Sequence, residues 1–106
     1  MNYRYMRVMV FFDLPVLTAA NRNSANRFRK FLIKDGFFMM QESVYCKLAQ
    51  NQGATNAIID HVKKNSPPEG LVQLLIVTEK QYSSIVLVIG KGTNDVVTTS
   101  DRLIIV

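Results

Sequence analysis

The chain has 106 residues, of which 48% are hydrophobic, and it carries a formal net charge of +5. This length and composition predict a single domain, residues 1–106, whose core needs no disulfide or metal. Cys46 is the only cysteine, which excludes an internal disulfide and a zinc site with two cysteine ligands. The sequence has no signal-peptide pattern and no apolar run of the ~20 residues that a membrane span needs. We therefore expect a cytoplasmic protein with no membrane partner.

The first predicted element is a strand over about residues 6–13, in which every residue from Val8 to Phe12 is apolar. Such a run is typical of a strand that is shielded on both faces of a sheet. Asp13 ends the strand, and Pro15 prevents further pairing because it has no N–H. A carboxylate held at the end of an apolar strand must be hydrated, paired or bound to a cation. Asp13 is therefore the first candidate for a functional residue.

The segment 18–35 is predicted to be a helix with an apolar face and a basic face. Ala25, Phe28, Phe31 and Leu32 fall on one side, and Gly36 follows at a C-cap-like position. The cations of this helix are Arg22, Arg27, Arg29, Lys30 and Lys34. Because only Asp35 offers local neutralisation, they repel one another unless a polyanion binds. The pattern favours a phosphate-binding face, and a simply solvated helix face is the alternative.

The charge distribution along the chain also favours a concentrated basic surface. Residues 1–50 hold eight Lys and Arg against three acidic residues, whereas residues 51–106 hold five of each. All of the excess positive charge is thus in the first half, and most of it is in the predicted helix. A local basic patch indicates nucleic-acid binding better than net charge alone.

The later elements are assigned by the same patterns. Strands are predicted over 37–48, 71–78 and 85–89, a helix over 54–65, and short terminal strands over 96–97 and 103–106. The Gly-Lys-Gly stretch at 90–92 is weak evidence for a phosphate loop because P-loop spacing is absent. Cys46 is predicted to lie in the core. His61 is predicted to be a satisfied or half-buried core histidine rather than a catalytic one, since no acid or nucleophile is spaced along the sequence to partner it.

The order strand, helix, strand, helix, strand, strand resembles the βαββαβ arrangement of a ferredoxin-like α+β domain, here with an extra C-terminal β-segment. Both helices of such a domain cover the same face of the sheet. The other face is expected to be too apolar for solvent, because Met9 and Phe11 alternate with Val8, Val10 and Phe12. A second copy of the chain is the simplest cover, so we predict a homodimer.

These residues resemble the smaller of the two universal CRISPR adaptation proteins, a family often classed as endoribonucleases. The resemblance spans essentially the whole chain, and the order and spacing of its motifs carry it. The motifs are Phe12-Asp13-Leu14, Asp35-Gly36-Phe37, Gln41-Glu42-Ser43-Val44-Tyr45, the strand at 74–78 and a C-terminal β-segment. The tail at 96–106 resembles versions found beside type II systems.

The resemblance implies a ferredoxin-like fold and a dimer that packs sheet against sheet. It implies that Asp13 is the Mg²⁺ ligand and the catalytic candidate, with no other cofactor. It further implies that the dimer binds double-stranded DNA non-specifically and bridges two integrase dimers during spacer acquisition. Some family members also cleave nucleic acid in a metal-dependent manner, so a stand-alone endoribonuclease of antiviral defence, acting on RNA, stays open as the alternative.

Elementary chemistry keeps both functions open. Magnesium usually takes one or two carboxylates, so a single aspartate per chain requires a second copy to complete a pair. Glu42 is the other candidate acid, and an aspartate that only ends the strand and caps the backbone is the structural alternative. An RNA-recognition module is less favoured because the strand at 71–78 has no aromatic residue. Acylphosphatase-like hydrolysis is less favoured because no arginine directly follows strand one.

Overall fold

The computed structural model describes residues 5–90 and contains a four-stranded antiparallel sheet with helices. The elements in chain order are β1 (Met6–Asp13), α1 (Ala19–Lys34), β2 (Phe38–Gln41), β3 (Val44–Ala49), α2 (Gln52–Lys64), β4 (Leu71–Thr78) and α3 (Glu79–Ser83). The strand order is β2-β3-β1-β4. This is the predicted ferredoxin-like α+β topology, in which β1 lies centrally between β3 and β4. The predicted strands at 96–97 and 103–106, and with them the extra C-terminal β-segment, lie outside the described residues.

The ferredoxin-like fold is as predicted, but two of the predicted strands are wrong, so the predicted order strand, helix, strand, helix, strand, strand is corrected to strand, helix, strand, strand, helix, strand. The segment 37–48 is a hairpin of β2 and β3 rather than one strand, because the polar residues Glu42 and Ser43 form a turn within it. The segment 85–89 is not a strand in the described chain. The first predicted strand is β1, the second divides into β2 and β3, and the third is β4. These four strands form the whole described sheet.

Local sequence explains where the helices begin and end. The Thr18 hydroxyl accepts a hydrogen bond from the Asn21 backbone N–H, and the Asn21 side chain accepts one from the Thr18 backbone N–H. Thr78 and Gln81 form the same reciprocal pair at the start of α3. Gly36 has a φ of +102°, which lets the chain leave α1 through the left-handed region. The predicted helices at 18–35 and 54–65 are confirmed to within a few residues.

One face of the sheet carries the main core. Alternate residues of β1 point toward α1 and α2, and the Phe12 ring meets the Phe28 ring edge-on at 5.4 Å between centroids. The buried residues of this core are Val8, Val10, Phe12, Phe28, Leu32, Phe37, Tyr45, Ala49, Ile58 and Val62. Because both helices use this face, the opposite face of the sheet lacks a helical layer from α1 or α2.

The second face, which we call the open face, is only partly covered by the elements within residues 5–90. Tyr82 of α3 packs on Met9 and Cys46 and buries them. Cys46 is confirmed as a core residue, and burial raises the pKa of its thiol. Leu71 and Leu75 of β4 remain 55% and 50% exposed. The expected apolar face is thus present, and α3 covers only the part of it around Met9 and Cys46.

None of the helices among residues 5–90 is long and apolar enough to cross a membrane.

Candidate functional site

Asp13 lies where the sequence predicts, at the exposed end of β1. The strand alternation places it on the open face together with Arg7, Met9 and Phe11, because Val8, Val10 and Phe12 point into the core. Its partner across the β1–β4 pair is Leu71. The carboxylate therefore projects from the same side of the sheet as the exposed apolar residues of β4.

The backbone of Asp13 is held by a close approach of Gly70. Gly70 has a φ of +100°, and a Cβ built on it would lie 2.9 Å from the Asp13 carbonyl oxygen and 2.7 Å from Leu14 Cδ2. Only glycine accommodates both this backbone conformation and this contact. The loop that precedes β4 thus packs against the end of β1 and fixes the position of the Asp13 backbone, from which the carboxylate extends.

The Asp13 carboxylate makes no hydrogen bond or ion pair with any residue in the range 5–90. The alternative role as a backbone cap near Pro15 is therefore not what the structure shows. Asp13 instead borders a surface depression of about 200 Å³ whose other lining residues are Phe11, Phe12, Ser43, Val44, Leu71 and Gln73. The carboxylate is available to a ligand that enters this depression.

A complete metal cage is not formed by the described part of one chain. Residues 5–90 contain no group of three His, Cys, Asp or Glu side chains that could hold an ion together. Glu42, the second candidate acid, is exposed in the β2–β3 turn and does not line the depression. One accessible carboxylate still fits Mg²⁺, because this ion keeps several waters and takes one or two carboxylates plus substrate phosphates.

The cations of α1 divide into two groups. Arg27, Lys30 and Lys34 share one side of α1 and line a groove of about 490 Å³ between this helix and the C-terminal end of α2. Lys64, from the last turn of α2, lines the same groove. Lys30, Lys34 and Lys64 form no ion pair or hydrogen bond with residues 5–90. We call this feature the basic groove.

Arg22 and Arg29 lie elsewhere and are partly occupied by the chain itself. The Arg22 guanidinium donates hydrogen bonds to the carbonyl oxygens of Val16 and Leu17, at 3.1 and 3.3 Å. The guanidinium carbon of Arg29 lies 5.6 Å from the centroid of the Phe12 ring. The structure thus brings together three of the five predicted cations and adds Lys64. Sequence reasoning missed Lys64. Lys63 and Lys64 are adjacent at the end of α2, and the sequence alone does not show which of these two lysines points toward α1.

Asp35, the acid expected to neutralise the cations of α1, is paired with other residues. The Asp35 carboxylate contacts His61 Nδ1 at 2.8 Å and Lys47 Nζ at 3.6 Å. His61 is therefore satisfied by an acidic partner, as one form of the prediction has it, but it is exposed rather than a core residue. The partner that the sequence analysis missed is Asp35, which follows α1 and is distant along the chain. Because Asp35 is engaged by these two residues, it does not pair with the cations of the basic groove.

A second charged cluster lies on the open face and was not predicted. The Arg7 guanidinium donates to both carboxylate oxygens of Glu79, at 2.8 and 3.0 Å, and its carbon lies 4.3 Å from the Tyr82 ring centroid. The pKa of the Glu79 carboxyl is lowered, first by this hydrogen bond and then by the positive charge of Arg7. These contacts attach α3 to β1 and explain why Tyr82 covers Met9.

The arrangement defines a class of protein: a ferredoxin-like α+β domain with cations on its helical layer and an accessible carboxylate on the opposite, partly apolar face. Comparison with known proteins identifies the family. Residues 6–85 match the family model described as "CRISPR associated protein Cas2". The chain belongs to the Cas2 family.

Individual relatives agree with this assignment. The chain is 50% identical over 100 residues to "CRISPR-associated endoribonuclease Cas2" of Treponema denticola, covering 94% of this chain and 99% of the relative. It is 40% identical to the protein of the same name from Streptococcus mutans serotype c (strain UA159), covering 93% of this chain and 91% of the relative. A solved structure titled "Crystal structure of cas2" superposes with a TM-score of 0.57 at 23% identity, covering 82% of this chain and 88% of that one. The last comparison supports the fold.

Proposed function

We propose that this protein is a CRISPR adaptation factor that acts as a homodimer, binds duplex DNA through its phosphates and bridges integrase dimers during spacer acquisition. The observation that carries the proposal is the distribution of charge over the two faces of the sheet. The basic groove belongs to the helical layer, whereas Leu71 and Leu75 are exposed on the open face. A dimer joined through the open faces would leave both sets of cations on the outside.

The open face supports the homodimer because it carries exposed apolar residues on one side of a β-sheet. Sheets pack face to face when their inner side chains can interdigitate, and contiguous exposed apolar surface favours an interaction partner. Two copies related by a twofold axis would bury Leu71 and Leu75 of both chains in one self-complementary interface. The dimer would also place the two Asp13 side chains on the covered side.

The cations support a DNA ligand that is recognised by charge rather than by sequence. Arg27, Lys30 and Lys34 are spaced along one side of α1, and Asp35 is engaged elsewhere. Lysine and arginine contacts to phosphates give affinity that depends steeply on salt and carries no direct sequence information. The role as a bridge between integrase dimers rests on membership of the family together with this externally charged dimer.

Metal-dependent endonuclease activity is the second candidate, and the free carboxylate of Asp13 favours it. The relatives from Treponema denticola and Streptococcus mutans are named endoribonucleases. Asp13 would hold Mg²⁺, and the second copy would supply a second carboxylate. Bound Mg²⁺ supplies a positive charge for a phosphate and lowers the pKa of a bound water. Whether RNA or DNA would be the substrate depends on what enters the depression beside Asp13.

Integration and cleavage assays with Asp13→Asn separate the two functions. If the protein is a bridging scaffold, the variant should retain duplex binding and support integration by the cognate integrase, whatever happens to metal-dependent cleavage. Loss of integration with intact duplex binding would contradict the pure scaffold function. Absence of duplex binding by the unmodified protein would contradict the proposal itself.

The dimer has its own test in sedimentation with a matched pair of variants. Leu75→Glu introduces a charge on the open face, whereas Ile33→Glu introduces the same charge on α1 at a residue that is 53% exposed. We expect Leu75→Glu to sediment as a monomer at micromolar concentration and Ile33→Glu to remain a dimer. A monomeric unmodified protein, or equal behaviour of the two variants, would rule out the open face as the interface.

A further inference from the structure

We propose that the basic groove binds a single-stranded nucleic-acid segment, with bases against its apolar floor and phosphates on its cationic rim. This inference rests on the proposed function, because it assigns a second kind of nucleic-acid ligand to the same helical layer. The groove lies between α1 and the segment that follows α2, so it is built by parts of the chain that are far apart in sequence. Its volume of about 490 Å³ is in the range of sites that hold small organic ligands.

The floor of the groove is formed by apolar side chains that contain rings. Phe31 and Pro67 are half-buried, Pro68 is exposed, and all three line the groove. Phe31 is held by the Phe28 ring, at 6.2 Å between centroids, and by the His61 ring, which lies roughly perpendicular to it at 5.0 Å between centroids. A floor of flat, fixed side chains offers a surface on which a nucleobase can pack without loss of much side-chain entropy.

The rim of the groove is cationic on both walls. Arg27, Lys30 and Lys34 lie on the α1 wall and Lys64 lies on the α2 wall. No carboxylate is among the described residues that line the groove. A ligand that spans the groove therefore meets positive charge on both sides and an apolar surface between them.

Single-stranded nucleic acid fits this combination better than a duplex does. In a duplex the bases are stacked inside, so only phosphates and sugars would approach, and the apolar floor would lie beneath charged groups. An unpaired strand can turn its bases toward aromatic and apolar side chains while its phosphates reach lysine and arginine. An acidic peptide is a different class of ligand, which the experiment distinguishes.

The experiment compares Lys64→Gln with Lys63→Gln in the full-length protein. Both lysines are in the last turn of α2, but only Lys64 lines the groove. The probes are a short oligothymidylate, the same strand with abasic sugars, and a blunt duplex of equal length. We expect Lys64→Gln to weaken oligothymidylate binding and to reduce the slope of log affinity against log salt by about 0.7. Lys63→Gln should change neither quantity. The blunt duplex is expected to use the α1 cations and not Lys64, so its affinities for the two lysine variants should differ by less than about twofold.

The abasic strand tests the apolar floor in the unmodified protein, where no variant can misfold. Loss of the bases should weaken binding by about fivefold or more, which is the low end of the contribution of one stacked base. Equal affinity for the normal and abasic strands, or equal effects of the two lysine variants, would overturn the inference. So would a Lys64→Gln protein that binds all nucleic acids normally but loses the integrase, because the groove would then hold a protein segment. Failure of the proposed function gives a different result, because the unmodified protein would then not bind the blunt duplex at all.

Discussion

Asp13 and Leu71 lie opposite each other in the β1–β4 pair, and both side chains project from the open face of the sheet. An exposed carboxylate therefore sits beside the exposed apolar residues of β4. Any partner that covers Leu71 also approaches Asp13. Two such carboxylates, if the dimer brought both close to its twofold axis, would repel each other unless a cation bound between them. The position of Asp13 thus links the proposed dimer to the proposed metal.

Asp13→Asn is expected to abolish metal-dependent cleavage without unfolding the protein. Substitution of groups that only support metal ligands typically costs 10–100-fold, so loss of the carboxylate itself should lower the rate by about 100-fold or more. Because Asp13 is exposed and its carboxylate has no partner within residues 5–90, the free energy of unfolding should change by less than about 0.5 kcal/mol. The measurements are cleavage with and without Mg²⁺ and urea unfolding.

Asp60→Asn is the matched control for this prediction. Asp60 is also exposed, but it lies on α2, away from the open face. It should leave cleavage unchanged. Equal rates for the two variants would remove Asp13 from the chemistry.

Gly70→Ala is expected to destabilise the protein and to disturb Asp13. The new Cβ would meet Leu14 and the Asp13 carbonyl, and the φ of +100° is costly for alanine. The free energy of unfolding should fall by about 1–3 kcal/mol in urea titrations. Gly53→Ala is the control, because Gly53 lies in α2 and a Cβ added there would have Asn51 Oδ1, at 3.4 Å, as its nearest neighbour. This variant should leave the free energy of unfolding unchanged or raise it. Equal losses for the two variants would show that the contact with Asp13 has no special role.

Arg27→Gln combined with Lys30→Gln is expected to weaken duplex binding and flatten its salt dependence. Both residues line the basic groove, and neither contributes a buried contact to the core. Loss of two phosphate contacts should reduce the slope of log affinity against log salt by about 2. Lys80→Gln combined with Lys63→Gln removes the same charge from exposed positions outside the groove. If both double variants bind alike, net charge rather than the groove accounts for the affinity.

The sequence predicted the elements whose residues follow a clear local pattern of apolar and polar positions. The apolar run of β1 and the amphipathic pattern of α1 were sufficient to locate these two elements and to place Asp13 at the correct strand end. The ferredoxin-like fold was predicted correctly, although the order of the later elements was not. The hairpin within 37–48 was missed because the apolar residues before Gln41 and after Ser43 resembled one continuous strand and concealed the two-residue turn at Glu42 and Ser43. The short helix α3 was missed although Thr78 and Gln81 have the spacing of a capping box.

Contacts between distant residues could not be read from the sequence. His61 and Asp35 are separated by 26 positions, and nothing in either local pattern predicts that α2 brings them within 2.8 Å. The same reason explains the absence of Lys64 from the predicted binding face. Helical periodicity states which residues share a side of one helix, but it does not state which sides of two helices meet.

The Arg7–Glu79 pair predicts a specific loss of stability in acid. The pKa of Glu79 is lower in the folded protein than in the unfolded chain, so the pair contributes stability above the unfolded pKa, near 4.5, and loses it as the pH falls through the folded value. Glu79→Gln removes the charged partner at every pH. The difference in unfolding free energy between the unmodified protein and Glu79→Gln should therefore be largest at neutral pH and shrink at acidic pH.

Urea titrations at pH 7 and pH 3, at a single protein concentration, measure this difference. Glu42→Gln is the control, because Glu42 is exposed and makes no ion pair within residues 5–90. Since Arg7 also packs on Tyr82, the variant should in addition increase the exposure of Cys46 to thiol reagents at neutral pH. A difference that stays constant between the two pH values would mean that the pair is not ionic in solution. A constant difference with unchanged thiol reactivity would also mean that Glu79 does not hold α3 over the open face.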